Sequence, residues 1–405
     1  MSTPKRIALV TTWYTPIQSV ASLRMNAFAE YLSESNEVVV YTLSDSKNEI
    51  EVDNQITIHR FTSSKLLGVL KSNTSDSKMK HKFKTAMRLL VSIFIRKPLN
   101  NWLKKVIDQL EKDHNQNNFD CIISSFAPTE AHEVALEIKK RHPSIFWIAD
   151  MRDEMSGNAH VSEGSRKKFR VHENNINRFA DAITTVSEPI VQSFKILCPK
   201  VSPIIEIQNG FNHKISPRRV DKGSCIKIGY FGTFYGSRKP NTFFQAWEKL
   251  SHVNNSLHLE FHLIGAHSNF SIPEWAKESV FLHSALPYEK AIEEMSKMHV
   301  NLLIHPRTEM KGVYTGKLYD YLSVCRPVLA LVDKEDVAAK LINELNGGYI
   351  AEFSDVEEIY IQLQAIVSDW ERNQFQTPAH QDVLKLHRKE GVKKLNQLID
   401  QLCSL

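Results

Sequence analysis

The sequence predicts an α/β protein of two Rossmann-like domains that face each other across a cleft. Short apolar segments alternate with amphipathic helical patterns, and this alternation runs twice along the chain. Because alternating strands and helices form parallel sheets with helices on both faces, each run predicts one domain. A chain of 405 residues is also too long for one ordinary core. The polar stretch 212–222, which contains Pro217, is predicted to link the two domains.

Thirteen strands are predicted from short apolar runs bounded by turn residues. Those of the first half are residues 7–11, 38–42, 56–61, 121–124, 146–149, 182–185 and 204–208. Those of the second half are residues 226–231, 257–264, 280–283, 300–304, 328–332 and 349–351. A final amphipathic helix is indicated by apolar residues at helical spacing, namely Val392, Leu395, Leu398, Ile399 and Leu402.

Composition places the protein in a reducing compartment. The five cysteines lie far apart and form no C-x-x-C pair, which argues against a disulfide framework and against a zinc site. The six residues before the first predicted strand leave no room for the apolar core of a signal peptide. No apolar run approaches the roughly 20 residues that span a bilayer. We therefore expect a cytoplasmic protein, either soluble or peripheral on the inner face of the cell membrane.

Residues 65–105 carry a local excess of positive charge. They contain eleven lysine or arginine residues and one acid, Asp76, a net charge of +10. Apolar residues at helical spacing predict one helix across 83–94, ended by Pro98, and a second from about residue 100. A basic amphipathic stretch with aromatic residues suits an anionic membrane surface. The alternative is a core-packing helix pair whose solvated face is basic. Nucleic-acid binding is not expected, since no known nucleic-acid module accompanies the charge.

Residues 315–322 read Thr-Gly-Lys-Leu-Tyr-Asp-Tyr-Leu, a pattern typical of a glycine turn leading into a short amphipathic helix. Backbone N–H groups around Tyr314, Thr315 and Gly316, together with the ammonium of Lys317, suit a diphosphate. The carboxylate of Asp320, one turn later, suits a ribose diol. The segment therefore predicts a nucleotide-diphosphate ligand. The alternative is that Lys317 and Asp320 are surface charges or salt-bridge partners.

A second glycine loop follows the predicted strand 226–231. It runs from Gly232 and Thr233 to Arg238 and Lys239, and its glycines allow the backbone to approach a ligand closely. The two cations would neutralise the charge that develops on a departing diphosphate. The alternative is that both are surface charges of the loop. The chain has no P-loop, no Gly-x-Ser-x-Gly elbow and no strong Gly-x-Gly-x-x-Gly, which disfavours NTPases, hydrolases and dehydrogenases.

These motifs resemble the GT-B glycosyltransferases, and among them the retaining family-four (group 1) enzymes that build bacterial surface polysaccharides. Three segments carry the resemblance, and these are Asn209-Gly210-Phe211, Gly229-Tyr-Phe-Gly232-Thr233 and Gly316-Lys317…Asp320…Pro327-Val328. The resemblance implies that residues 223–384 hold the nucleotide-sugar and residues 1–212 hold the acceptor. It also implies that the C-terminal helix, within 385–405, returns to the first domain. It implies retention of configuration and no bound metal or other cofactor.

The resemblance also implies roles for the donor residues. An Arg/Lys pair neutralises the diphosphate in the family, but the usual spacing is wider, so both Arg238 and Lys239 remain candidates. The family usually has glutamate at the position of Asp320, eight residues after another glutamate. Here the earlier position is Gly312, and Glu309 lies nearby.

A charged cluster, Asp150, Arg152 and Asp153, follows an apolar strand of the first half. Ligands of open α/β sheets bind at the carboxyl ends of such strands, and the cluster resembles an aspartate-arginine-aspartate motif of one branch of these transferases. Either acid would orient the acceptor hydroxyl or stabilise charge at the anomeric carbon, and Arg152 would steer phosphate or hold the acids. The alternative is a structural ion-pair network. His132 is a weaker candidate, because a lone helix histidine more often packs.

The loop after the first predicted strand would lie under the acceptor. The family has glycines in this loop, whereas this chain has small residues such as Ser19 and Ser22. Arg24 is predicted to start the next helix and to reach an anionic acceptor. Ser19, Ser22, Arg24 and His132 are thus the candidate acceptor residues.

The predicted function is transfer of a hexose-type sugar from a nucleotide-diphosphate donor to a hydroxyl of a lipid-linked or saccharide acceptor. The alternatives are a nucleotide-sugar 2-epimerase of the same fold, a soluble transferase for a small molecule, and a non-catalytic GT-B scaffold. No His-Glu-x-x-His or Asp-x-Asp motif occurs, so no metal site is expected.

Overall fold

The computed structural model describes residues 3–17, 19–63, 99–159, 161–215, 222–234, 236, 238–253, 258–265, 270–306 and 312–404. Several predictions lie outside these residues. They are the first basic helix across 83–94 with Pro98, most of the basic segment 65–105, the part of the linker around Pro217, and Glu309. Among the described helices, none is both long and apolar enough to cross a bilayer.

The chain divides into two compact units. Unit 1 comprises Met1–Ile207 and Val392–Leu405, and unit 2 comprises Gln208–Gly391. The first boundary, after Ile207, precedes the predicted linker 212–222, and the second, after Gly391, follows the predicted domain end at residue 384. The reason is that Phe211 belongs to the unit 2 core, where its backbone N–H donates to Leu386 O (3.3 Å) and its carbonyl accepts from Arg388 N–H (2.9 Å).

Unit 1 contains an eight-stranded sheet of order β3-β4-β2-β1-β5-β6-β7-β8. Its strands are β1 (Arg6–Val10), β2 (Glu37–Ser44), β3 (Glu49–Asp53), β4 (Ile56–Thr62), β5 (Cys121–Phe126), β6 (Phe146–Met151), β7 (Ala182–Thr185) and β8 (Ile204–Glu206). Its helices are α1 (Val20–Leu32), α2 (Asn100–Gln116), α3 (Glu130–Arg141), α4 (Glu163–Phe179), α5 (Glu188–Leu197) and, from the chain end, α12 (Arg388–Leu402), of which the residues from Val392 onward belong to unit 1. The pairings are parallel except that β3 runs antiparallel to β4.

Helices cover both faces of the unit 1 sheet, as continuous apolar strands require. Alternate β1 residues point to opposite faces. Ala8 and Val10 belong to the core that includes α2 to α5, and Ile7 and Leu9 to the core that includes α1 and α12. In α12 all five residues of the predicted apolar stripe are buried in that second core. The predicted C-terminal helix is therefore confirmed, and it packs on unit 1.

Unit 2 contains a six-stranded sheet of order β11-β10-β9-β12-β13-β14, parallel at every pairing. Its strands are β9 (Ile226–Phe231), β10 (Leu259–Ile264), β11 (Val280–His283), β12 (Val300–His305), β13 (Val328–Val332) and β14 (Gly348–Ala351). Its helices are α6 (Asn241–Val253), α7 (Tyr288–Lys297), α8 (Gly316–Ser323), α9 (Val337–Glu344), α10 (Val356–Arg372) and α11 (His380–Leu384), with a 3₁₀ helix at Glu274–Ser279. α6 and α10 pack on one face, and α7, α8 and α9 on the other. The predicted α/β class with two parallel-sheet domains is confirmed.

Two local differences from the prediction have physical reasons. Strand β3 was not predicted because it is an edge strand, whose apolar residues Ile50 and Val52 are exposed and whose other residues are acidic. The turn to β4 places Asn54 and Gln55 at positive φ, as a tight hairpin requires. Helix α1 also begins earlier than expected, at Val20 rather than near Arg24.

Candidate functional site

The candidate donor site of unit 2 is built where α8 meets the carboxyl end of β9. The hydroxyl of Tyr321, in α8, accepts the N–H of Phe231, the last residue of β9, at 3.0 Å. This bond ties the helix to the strand one residue before Gly232. Since Lys317 lies four residues before Tyr321, on the same side of the helix, the tie also brings its side chain to the start of the glycine loop.

Gly232 lies directly beneath the Lys317 side chain. Its φ is +99°, a conformation that favours glycine. A Cβ built at this position would lie 3.1 Å from Lys317 Cε and 3.2 Å from Nζ. The missing side chain at Gly232 therefore leaves the space in which the Lys317 ammonium sits. The sequence prediction that these two motifs share one site is consistent with this contact.

The Lys317 ammonium is held in an environment that disfavours positive charge. Its Nζ donates to the Tyr230 hydroxyl at 2.8 Å and lies 4.1 Å from the centre of that ring. Burial, and then the positive charge of Arg238, lower the pKa of Lys317 to about 8. Two cations that interact electrostatically in this way suit an anion of high charge density, such as a diphosphate.

Arg238 and Lys239 are adjacent in sequence but have different surroundings. The charge of Arg238 lowers the pKa of both Lys317 and His305. Lys239 instead lines a cavity of about 760 Å³ with Asn241, Phe244 and other residues of α6 and of the loop before the 3₁₀ helix. Of the two candidates that the sequence left open, Arg238 is therefore the one that shares the Lys317 site.

His305 is a site residue that the sequence analysis missed. It ends β12 with only 5% of its surface exposed, and burial followed by the charge of Arg238 lowers its pKa to about 4, so the ring is neutral. Among the described residues, its buried Nδ1 and the buried Oγ1 of Thr315 have no hydrogen-bond partner. A polar residue at the carboxyl end of an apolar strand was the signal available in the sequence.

The remaining donor candidates surround the same helix start. Thr315 is the N-cap residue of α8, Gly316 is the first helical residue, and the Tyr314 ring packs 5.4 Å from that of Tyr319. The carbonyl of Thr233 accepts from the Tyr230 hydroxyl at 3.3 Å. These residues thus lie beside Lys317, and their roles toward a ligand stay predictions.

Asp320 lies one turn after Lys317 in α8. Its Oδ1 accepts the hydroxyl hydrogen of Tyr288, the first residue of α7, at 2.7 Å. Burial raises the pKa of Asp320 to about 6, although the Tyr288 hydrogen bond and the charge of Arg388 act in the opposite direction. Gly312 lies eight residues before Asp320, where the family usually has a glutamate, and it has no side chain to offer a ligand. Its backbone N–H donates to Asp336 Oδ1 at 2.8 Å.

In the charged cluster of unit 1, Asp150 forms a buried ion pair with Arg24 and accepts further hydrogen bonds from neighbouring hydroxyls. Asp150 has no exposed surface, and its Oδ1 lies 2.7 Å from Arg24 Nη2. It also accepts from the hydroxyls of Ser125 (3.0 Å) and Thr184 (2.8 Å). Burial opposes the charged form, but Arg24 and the Thr184 hydroxyl outweigh it and lower the pKa of Asp150. These partners are those of the structural alternative, and a catalytic role of Asp150 stays a prediction.

The other two charges of the cluster face elsewhere. Arg152 donates from Nε to Phe126 O and from Nη2 to Ala127 O, and so holds the loop after β5. Burial raises the pKa of Asp153, while the charge of Arg152 acts against it. Asp153 is half-buried, so of the two acids it is the more accessible. A role for either residue in the reaction stays a prediction.

The candidate acceptor residues of unit 1 are engaged within the fold. The Ser19 and Ser22 side chains form a capping box at the start of α1. Besides pairing with Asp150, the buried Arg24 donates from Nη1 to Ile207 O at 2.6 Å. His132 Nδ1 lies 2.7 Å from Ser124 Oγ, and burial lowers the pKa of His132 to about 3. These contacts are structural, and contact with an acceptor stays untested.

The described part of the basic segment is residues 99–105. There the predicted second helix is confirmed as α2, and Trp102 is fully buried and donates from Nε1 to Thr42 O at 3.0 Å. This part of the segment therefore uses its apolar face in the unit 1 core. Within the described residues, no three His, Cys, Asp or Glu side chains converge as metal ligands would.

Comparison with solved structures identifies the fold. Sucrose-phosphate synthase of Thermosynechococcus elongatus matches with a TM-score of 0.68 and 15% identity, covering 99% of this chain and 99% of that chain. Anabaena HepE, in complex with UDP and glucose, matches with a TM-score of 0.62 and 13% identity, covering 98% and 100%. The lipopolysaccharide outer core galactosyltransferase WaaB, in its apo form, matches at 0.59 and 12%, covering 97% and 99%.

The sequence itself has no such match. No protein-family model matches the chain, and no curated protein matches it. At 12–15% identity the solved structures establish the fold and leave the activity open. They cover almost the whole chain, both units included, and they are glycosyltransferases of the GT-B type. The chain therefore has the GT-B fold, as its motifs predicted.

Proposed function

We propose that this protein is a retaining, metal-independent glycosyltransferase that uses a nucleotide-diphosphate-sugar donor. The observation that carries the proposal is the contact of Lys317 with Gly232, beside Arg238, at the carboxyl ends of the unit 2 strands. Ligands of open parallel sheets bind at this edge. The fold, shared with proteins such as HepE that was solved with UDP and glucose, supports a nucleotide-sugar as that ligand.

The proposed role of the cationic cluster is to stabilise the leaving group. Breaking the bond between the sugar and the diphosphate places negative charge on the diphosphate oxygens. Fixed cations near those oxygens lower the barrier because they interact more strongly with the transition state than with the ground state. Lys317 and Arg238 would supply this charge, and the N-terminus of α8 would add its backbone N–H groups. No cofactor is needed for this step.

The proposed acceptor is a hydroxyl of a lipid-linked glycan used in capsule, O-antigen or exopolysaccharide synthesis. The net charge of +10 in residues 65–105 supports an anionic membrane surface as the place of reaction, at the cytoplasmic face. The match to WaaB, a lipopolysaccharide galactosyltransferase, is in keeping with such an acceptor. Unit 1 would bind the acceptor, and retention follows the family resemblance.

A transfer assay tests this function. The protein is incubated with UDP-, GDP-, ADP- and CDP-sugars, with and without a polyprenyl-diphosphate-linked monosaccharide, and released nucleotide and glycolipid mass are measured. We expect nucleotide release with one donor, increased by the acceptor, together with an added hexose mass. Nucleotide release without acceptor, accompanied by an epimerised free sugar, would instead indicate a 2-epimerase. No release with any donor would contradict the proposal.

The different surroundings of Arg238 and Lys239 make a further prediction. Removing a charge-assisted hydrogen bond costs about 1.5–3 kcal/mol, so Arg238→Ala should weaken binding of the nucleoside diphosphate by roughly 10- to 100-fold. Lys239→Ala is the matched control, because Lys239 lines the separate cavity of about 760 Å³. The affinity of this variant for the nucleoside diphosphate should change by less than about 3-fold. Titration calorimetry measures both. Equal losses in the two variants would show that this assignment of Arg238 is wrong.

A further inference from the structure

A chain of four side chains in unit 2 leads away from Asp320. The Tyr288 hydroxyl lies 2.7 Å from Asp320 Oδ1 and 3.2 Å from His213 Nδ1. His213 Nε2 lies 2.7 Å from Ser323 Oγ. Ser323 Oγ in turn lies 2.6 Å from the backbone carbonyl of Asp320. The carboxylate and its own helix turn are therefore joined through Tyr288 and His213 into one closed network.

The network borders the cationic site. Tyr288 starts α7 directly after the loop that contains Ala285. That loop packs on Gly265, where an added Cβ would lie 3.4 Å from Ala285 Cα and 3.9 Å from Gly232 Cα. Since Gly232 carries the Lys317 contact, Tyr288 and Asp320 flank the same edge of the sheet. The Tyr288 side chain is also partly exposed, at 40%.

The number of hydroxyl and ring hydrogens fixes which atoms of the network donate and which accept. Ser323 has one hydroxyl hydrogen, and the Asp320 carbonyl can only accept it, so Ser323 Oγ accepts from His213 Nε2–H. A neutral His213 then presents a bare Nδ1 to Tyr288. Burial, and then the charges of Arg388 and His387, lower the pKa of His213 to about 4, so the ring is neutral near pH 7.

The single hydroxyl hydrogen of Tyr288 therefore has two possible acceptors, His213 Nδ1 and Asp320 Oδ1. The shorter contact and the negative charge both favour Asp320 while it is ionised. If Asp320 is protonated, its own hydrogen can go to Tyr288, whose hydrogen then turns to His213. The ionised state thus has a fixed donor on Oδ1, and this donor holds the carboxylate in one orientation.

We propose that Tyr288 is a positioning residue, which holds the Asp320 carboxylate ionised and oriented to accept a hydroxyl of the nucleotide ribose. The proposal rests on the proposed function, since it assumes a nucleotide in the site. Asp320 is the acceptor of the ribose hydroxyl, and Tyr288 acts on the ligand only through Asp320. His213 Nδ1 lies 3.2 Å from the Tyr288 hydroxyl as its second possible acceptor, and the Ser323 hydroxyl fixes the His213 ring by accepting from Nε2–H.

The test compares ribose with deoxyribose on Tyr288→Phe, a variant that keeps the ring and removes only the hydroxyl. Dissociation constants are measured by calorimetry for UDP, 2′-deoxy-UDP and 3′-deoxy-UDP, and likewise for GDP, ADP and CDP. In the wild type, at least one deoxy analogue should bind about 10-fold or more weakly, as expected for loss of a hydrogen bond to a carboxylate. In Tyr288→Phe this penalty should fall below about 3-fold, with little change in the affinity of the deoxy analogue.

Tyr349→Phe is the matched control. The Tyr349 hydroxyl also donates to an aspartate, Asp369 Oδ2 at 2.6 Å, but it lies in β14 and binds α10 on the other face of unit 2. This variant should keep the wild-type preference for ribose. If Tyr288→Phe keeps the full penalty, or weakens ribo- and deoxynucleotides equally, the positioning role is overturned. If the wild type binds no nucleoside diphosphate at all, the proposed function fails first.

The pH dependence is a second readout that a merely structural role would not change. The groups that act on Asp320 are Tyr288 of α7, Arg388 at the start of α12 and Tyr321 of its own helix, with His213 and His387 behind them. Ribose preference in the wild type should fall as the pH drops through about 6, where Asp320 takes up a proton. Removing the Tyr288 donor destabilises the charged form, so the midpoint should move to higher pH in Tyr288→Phe. An unchanged midpoint would overturn the proposal.

Discussion

Replacing Lys317 by methionine is expected to lower kcat/KM for sugar transfer by about 10²- to 10³-fold, the usual cost of removing one preorganised electrostatic group. Methionine keeps an unbranched side chain over Gly232 and the Tyr230 ring, so the change removes mainly the charge. Nucleoside diphosphate binding should weaken as well, because the ammonium is one of two cations held in the site. Steady-state kinetics and calorimetry measure the two effects.

Lys249→Met is the control for this variant. Lys249 also lies over a tyrosine ring, with Nζ 4.5 Å from the centre of Tyr360, and it pairs with Glu357 on the surface of α6 and α10. Its kinetics should remain within about 2-fold of wild type, since surface ion pairs contribute little. Equal effects of the two substitutions, or full activity of Lys317→Met, would contradict the assignment of the donor site.

The lowered pKa of Lys317 adds a pH dependence with a defined sign. Because its pKa in the folded protein, about 8, lies below that of an ordinary lysine, the charged form is disfavoured by folding. Ligand-free stability should therefore rise as the pH increases from about 8 toward 10.5, while affinity for a nucleoside diphosphate falls over the same range. Lys317→Met should remove both trends. Thermal unfolding and binding, each measured from pH 7 to pH 10, test this.

Replacing Arg24 by methionine is expected to have the largest effect on stability, a loss of about 3–5 kcal/mol in the free energy of unfolding. The substitution leaves the Asp150 carboxylate, which has no exposed surface, without its cationic partner. It also removes the donor to Ile207 O. Urea unfolding followed by circular dichroism measures the change, and Asp150→Asn in addition to Arg24→Met should recover part of it by removing the buried charge.

Arg141→Met supplies the comparison for Arg24→Met. Arg141 pairs with Glu111 and Glu137 in unit 1, but its side chain is 39% exposed, so the cost should be about 0–1 kcal/mol. If Arg24→Met were no less stable than Arg141→Met, the buried pair would not be a structural element of unit 1. Asp150 would then be free to act in the reaction, as its sequence context first indicated.

The arrangement of the candidate donor site in unit 2 could be predicted from sequence because its residues lie close together along the chain. The six residues from Thr315 to Asp320 contain the glycine turn, the lysine and the carboxylate. They form the N-cap and first turns of α8, so helical geometry fixes their relative positions. The parallel strands bring Gly232 to the same edge. What the sequence could not show is which neighbours share that edge. That the charge of Arg238 acts on Lys317 depends on the three-dimensional course of the loop.

The candidate acceptor site in unit 1 was less predictable because polar residues at a strand end can serve either the fold or a ligand. Asp150 follows a buried strand, where ligands usually bind, but the same position is adjacent to α1, from which Arg24 neutralises it. A pairing between residues 126 positions apart leaves no local pattern in the sequence. Ser19 and Ser22 occur at the three-residue spacing of a capping box. This spacing was visible in the sequence and indicated a helix start rather than an acceptor site.

The most direct test of the central claim, a nucleoside diphosphate site in unit 2, is a thermal-shift measurement on the wild-type protein. Uridine, guanosine, adenosine and cytidine diphosphates are each compared with the corresponding monophosphate and nucleoside. One diphosphate, at 100 times its dissociation constant, should stabilise the protein by about 2.7 kcal/mol and raise its unfolding temperature clearly. The monophosphate should have a smaller effect and the nucleoside the smallest. No shift with any diphosphate, or equal shifts with diphosphate and nucleoside, would contradict the claim.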